Sequence, residues 1–187
     1  QSDATAHALA GRDLVLATPT ASGKSLAYNL PVLSSMISRD APERPRALYL
    51  FPTKALSQDQ TSELNELNET LATRAPHVER IGAFTYDGDT PKAERRILRD
   101  RGDVVITNPY MLHLAILPNH MRWGTFFRQL RFVILDEIHT YTGVFGASVA
   151  NVLRRLRRVA KHYGSDPVFI ACSATIGNPE KHFEQLV

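Results

Sequence analysis

Six short apolar runs, each leading into a stretch with helical spacing, constrain this 187-residue chain more than any other feature. They are DLVLAT (Asp13–Thr18), RALYLFP (Arg46–Pro52), RIGAFTYD (Arg80–Asp87), DVVITN (Asp103–Asn108), FVILDE (Phe132–Glu137) and PVFIACSAT (Pro167–Thr175). Most are apolar almost throughout without alternating, the pattern of strands buried on both faces of a parallel sheet. The clearest helical stripe joins Val149, Val152, Leu153, Leu156, Val159, Ala160 and Tyr163 at three-and-four spacing. The alternation predicts an α/β fold, an open and mostly parallel sheet with helices on both faces. SRDAPERPR (Ser38–Arg46) and LPNHMRWG (Leu117–Gly124) read as loops, neither long enough to divide domains.

Composition excludes more than it selects. With 43% apolar and 22% charged residues the chain reads as globular, neither disordered nor fibrous. A net charge of +3 permits an anionic partner without requiring one. The single cysteine, Cys172, allows no internal disulfide and no cysteine zinc site, and reads as a buried strand residue in a reducing compartment. No apolar stretch approaches the roughly 18 residues of a membrane span. The opening QSDATAHALAGRD has no signal-peptide pattern and no Met, which suggests a piece of something longer. The expected compartment is the cytoplasm, with association to the nucleoid if the source is bacterial.

In an open α/β sheet, ligands sit beyond the carboxyl ends of the strands. The polar clusters of this chain fall there. TPTASGKS follows the first run and leads into a helical pattern at Leu26–Met36. Backbone N–H groups of Thr18, Pro19 excepted, and of Thr20, Ala21, Ser22 and Gly23 would wrap phosphate oxygens at a helix N-terminus. Lys24 would reach the terminal phosphates of ATP and the Ser25 hydroxyl would ligate Mg²⁺. The nucleotide-loop pattern begins with Gly, where this chain has Thr18. After the buried run FVIL, Asp136 would hold the metal through water and Glu137 would deprotonate the attacking water, with His139 near the γ-phosphate. Ser173, Ala174 and Thr175 end the last run, where two hydroxyls would relay the state of the acidic pair.

TPTASGKS, DEIH and SAT, in this order, resemble motifs I, II and III of superfamily 2 helicases; FPTKALSQDQ and TNPYML resemble motifs Ia and Ib. More narrowly, TYDGDTPKAERR, TNPYMLHLAILP and DEIHTYTGVFGASVANVLRRLRR resemble DExH-type helicases of the mitomycin-repair-factor group and their RecQ-like relatives. Most of the superfamily has Gly where Ala21 stands; the narrower group tolerates Ala-Ser-Gly-Lys-Ser. The resemblance implies a RecA-like ATP-binding domain, with Gln1 at the place of an adenine-reading glutamine. It also implies a second RecA-like domain in the parent protein, since the chain stops soon after motif III.

The same resemblance implies nucleic acid across the other half of the sheet edge. Pro52, Thr53, Lys54, Gly88, Asp89, Thr107, Asn108 and Pro109 would lie against its backbone, gripping phosphates without reading bases. Tyr86 and Trp123 are the aromatic candidates for base stacking. RRLRR (Arg154–Arg158) lies opposite an apolar helix stripe and reads as a solvated or domain-facing surface. The expected function is an ATP-dependent helicase acting on single-stranded or tailed DNA in preference to RNA. Its rivals are an RNA helicase and a nucleotide-gated binding module without unwinding activity.

Overall fold

The computed structural model describes residues 2–17, 24–39, 43–174 and 177–187. Helix α1 (Ser2–Leu9) precedes β1 (Leu14–Ala17), α2 (Lys24–Ile37), β2 (Arg46–Leu50), α3 (Lys54–Arg74) and β3 (Ala83–Thr85). Then come α4 (Lys92–Arg101), β4 (Val104–Thr107), the short α5 (Pro109–Met111), α6 (Gly124–Gln129) and β5 (Leu130–Leu135). The chain closes with α7 (Gly143–His162), β6 (Val168–Ser173) and α8 (Pro179–Leu186).

The six strands form one parallel sheet in the order β1-β6-β5-β2-β4-β3. From β1 to β3 the chain advances across the sheet; from β3 to β6 it returns. Right-handed crossovers therefore put the helices of the two journeys on opposite faces. The packing agrees. Tyr28, Val32 and Met36 of α2 and Leu64 of α3 meet Ala47, Tyr49, Ile106, Phe132 and Ile134 on one face. Leu98, Phe126, Phe127, Val149, Leu153 and Leu156 meet Leu48, Leu50, Val105, Val133 and Phe169 on the other. Successive strand residues feed opposite cores, which is why the runs are apolar throughout. Leu153 is fully buried, and its truncation to Ala would cost about 2–5 kcal/mol.

The expected loop LPNHMRWG is instead a 3₁₀ segment, Leu117–Trp123, preceded by a π-helical turn over Leu112–Ile116. The segment is two short turns joined at a kink, where Asn119 leaves helical geometry at φ −105°, ψ 25°. Leu117 and Trp123 are buried there and His120 Nδ1 lies 3.0 Å from the Tyr163 hydroxyl. Cys172 is buried in β6, as expected. Among the described residues no helix is long and apolar enough to cross a membrane.

Candidate functional site

The carboxyl ends of β1, β6 and β5 are adjacent, with β6 in the middle. β1 leads towards Lys24 and Ser25 at the start of α2, β6 ends at Ser173, and β5 runs into Asp136 and Glu137. Parallel pairing sets Ala17 against Ser173 and Leu135 against Ala171, so the three ends lie side by side. Gln1, Thr18, Pro19, Thr20, Ala21, Ser22, Gly23 and Thr175 lie outside the described residues.

Tyr28 ties the start of α2 to the acidic pair. Its phenol is buried and donates to Gln60 Oε1 at 2.5 Å. Burial pushes the phenol well above its ordinary pKa, the Asp136 charge adds to that, and a hydrogen bond with the Ser25 side chain opposes it. Ser25, Tyr28 and Asp136 thus share one neighbourhood.

Glu137 adopts φ 52°, ψ 44°, and among the described residues no other side-chain-bearing residue has positive φ. A left-handed residue other than Gly costs about 1 kcal/mol, offset here by local bonds. Asp136 Oδ1 accepts the Glu137 N–H at 2.9 Å, and the Glu137 carbonyl accepts the Thr140 N–H and hydroxyl. From α8, His182 Nε2 lies 2.8 Å from the Ile138 carbonyl. The turn is held from three sides.

His139 joins the turn to β6. The Ala174 N–H donates to His139 Nδ1 at 3.3 Å, and Glu137 Oε2 lies 3.1 Å from the same nitrogen. In the neutral ring an accepting Nδ1 leaves the proton on Nε2, so His139 gives nothing to Glu137. Among the described residues Glu137 Oε2 is buried with no hydrogen-bond donor.

The other half of the edge carries the ends of β2, β4 and β3. Pro52 is half-buried, and Thr53 caps α3, its Oγ1 accepting the Leu56 N–H at 3.4 Å. Exposed Lys54 reaches Asp89 Oδ2 at 2.6 Å. Asp87 Oδ1 accepts the N–H groups of Asp89 and Thr90, and Arg95 donates to the carbonyls of Asp87, Gly88 and Thr90. Thr107 is buried and its hydroxyl donates to the Tyr86 carbonyl at 2.6 Å. Asn108 Oδ1 accepts the Met111 N–H at 2.9 Å, with Pro109 buried behind it. Thr53, Lys54, Gly88 and Asp89 remain exposed on this edge.

One expectation is corrected. Tyr86 and Trp123 are both buried and meet edge to face, ring centres 5.2 Å apart, so neither is offered to a base. The exposed aromatic on this edge is Tyr110, 69% exposed. RRLRR presents Arg154, Arg157 and Arg158 on an exposed surface, where Arg157 pairs with Asp13 at 2.6 Å and lies over the Phe169 ring and Arg154 donates to the Gln185 carbonyl. A concavity of about 910 Å³ at the opposite end of the sheet is lined by Arg44, Arg46 and Asp103. The terminal nitrogens of both buried arginines bind carbonyls at residues 79, 80, 99 and 100, which makes this region a brace.

The chain is 57% identical to the ATP-dependent helicase YprA of Bacillus subtilis over 94% of its own length and 22% of the relative's. It is 41% identical to the ATP-dependent helicase hrq1 of Schizosaccharomyces pombe over its whole length and 17% of the relative's. It thus spans about a fifth of these proteins. Among solved structures, the DUF1998 helicase MrfA bound to DNA and AMPPNP superposes with a TM-score of 0.91 at 55% identity, covering 99% of this chain and 25% of that one. The family model for DEAD/DEAH box helicases matches residues 1–182. The chain belongs to the DEAD/DEAH box helicase family and is a RecA-like helicase domain.

Proposed function

We propose that this chain is the first RecA-like domain of an ATP-dependent DNA helicase of genome maintenance, working in the cytoplasm or on a bacterial nucleoid. The observation that carries the reading is the convergence of Ser25, Asp136, Glu137 and Ala174 at three adjacent strand ends. That MrfA has been solved with DNA and AMPPNP supports DNA over RNA.

The residues fit Mg²⁺. A serine hydroxyl and a carboxylate are hard oxygen donors, and no cluster of three or more His, Cys, Asp or Glu stands among the described residues. A small donor set suits an ion that keeps waters and takes phosphate oxygens. Ser25 and Asp136 would hold it, and when bound it would neutralise charge on the β- and γ-phosphates. Lys24 and the loop Thr18–Gly23 would bind the phosphates, and Gln1 the adenine. Glu137 would take a proton from the attacking water on Oε1, the oxygen not buried against His139. His139 would transmit the state of this site to motif III through Ala174, with Ser173 and Thr175 in the same relay.

Pro52, Thr53, Lys54, Gly88, Asp89, Thr107, Asn108 and Pro109 would line the nucleic-acid path, chiefly through backbone groups and Lys54. A second RecA-like domain of the parent would close over both halves and complete hydrolysis. The test is ATP hydrolysis by the parent protein with single-stranded DNA, duplex DNA or RNA. Single-stranded DNA should stimulate most. Equal stimulation by RNA would make it an RNA helicase, and ATP binding without hydrolysis would make it a gated binding module.

A further inference from the structure

Glu137 and Tyr141 present complementary buried atoms within one turn. Among the described residues, Glu137 Oε2 has no donor and the Tyr141 hydroxyl has no partner. A buried hydroxyl left unpaired lowers stability, so this one stands out beside the buried phenols of Tyr28 and Tyr49, both of which donate. Tyr141 cannot swing away to water. It is 1% exposed, its ring packs on Phe145, and Gly146 of α7 sits so close to its carbonyl that a Cβ there would overlap it. Burial pushes the Tyr141 phenol up, with the charges of Asp136 and then Glu137 adding to it. The phenol therefore stays a donor at neutral pH, within the field of both carboxylates.

Resting on the reading of Glu137 as the base, we propose that Tyr141 is a positioning residue whose O–H donates to Glu137 Oε2 during hydrolysis and aims Oε1 at the attacking water. The two groups are not bonded to each other in this structure; the proposed bond forms when the Glu137 side chain rotates towards the phenol. His139 cannot serve instead, because its Nδ1 already accepts from Ala174. Tyr141 holds the base while His139 keeps its bond to motif III. Nothing in the sequence marks this residue, since its unpaired hydroxyl arises only from packing by α7.

The test is steady-state ATP hydrolysis by the parent protein carrying Tyr141→Phe, with single-stranded DNA present. The expected result is kcat about tenfold lower at unchanged KM for ATP, with the Tm unchanged or raised because an unpaired buried hydroxyl has gone. In a Glu137→Gln background, Tyr141→Phe should change kcat no further. Wild-type kcat in Tyr141→Phe, or a full additional loss in the double variant, would overturn the proposal. Normal turnover by Glu137→Gln alone would instead overturn the assignment of the base, and this proposal with it.

Discussion

The Ala174 amide donates to His139 Nδ1 across 3.3 Å, joining the end of β6 to the turn that follows β5. This bond gives the proposed nucleotide site a direct link to the strand beside it.

His139→Ala should therefore uncouple rather than disable. In the parent protein, ATP affinity should stay within about twofold of wild type, while stimulation of hydrolysis by single-stranded DNA falls about tenfold. Coupling free energies between sites are typically ~1–3 kcal/mol. Equilibrium ATP binding and stimulated turnover, measured side by side, check this; intact stimulation would mean the link carries no coupling.

Gly146→Ala should damage the same turn from behind. A methyl group there overlaps the Tyr141 carbonyl, so α7 or the turn must move. Overpacking of this kind costs about 1–3 kcal/mol. Thermal unfolding should show that loss, with ATP turnover falling too. An unchanged Tm would show that α7 can slide freely.

Lys54 and Arg157 separate surface charge that serves nucleic acid from charge that serves the fold. Lys54 is exposed on the proposed path, paired only with exposed Asp89. Lys54→Ala should lower the salt dependence of single-strand binding by about 0.7, one neutralised phosphate. Arg157→Ala should leave that slope alone but reduce stability by about 1 kcal/mol, losing contact with Asp13 and the Phe169 ring. Salt titrations of binding and urea unfolding of both variants give the comparison.

Alkaline titration should resolve the buried phenols. Burial raises Tyr28, Tyr49 and Tyr141 above about 10, with Asp136 adding at Tyr28 and Tyr141 and Glu63 at Tyr49. Unfolded, all titrate near ~10. Their preference for the folded state's protonated form thus supports stability fully below that pH and is lost as pH rises further. Tyrosinate absorbance should account for no more than three of the six tyrosines until the protein unfolds. Early titration of all six would contradict the burial.

All six strands were legible in the sequence because a strand covered on both faces has nowhere to hide polar residues. Their ends were less so. Arg80, Ile81 and Gly82 precede β3 although the apolar run begins there. The buried stripe of helix α3 is largely polar: Ser57, Gln60, Leu64 and Asn68. Asn68 exchanges bonds with the Ile81 backbone and Gln60 accepts from Tyr28, so these burials are satisfied by partners far along the chain. The crevice was readable because strand-end position alone assembles Asp136, Glu137 and Ser173. The burial of Tyr86 and Trp123 was not, because packing decides whether an aromatic ring is spent on the core.

The central claim is that Glu137 is the group that activates water in an ATP-hydrolysing crevice. Glu137→Gln in the parent protein tests it most directly, with nucleotide binding and single-turnover hydrolysis measured on the same preparation. ATP should bind with wild-type affinity while hydrolysis slows by roughly 10²–10⁴-fold, the range for loss of a general base. Hydrolysis at the normal rate would contradict the account.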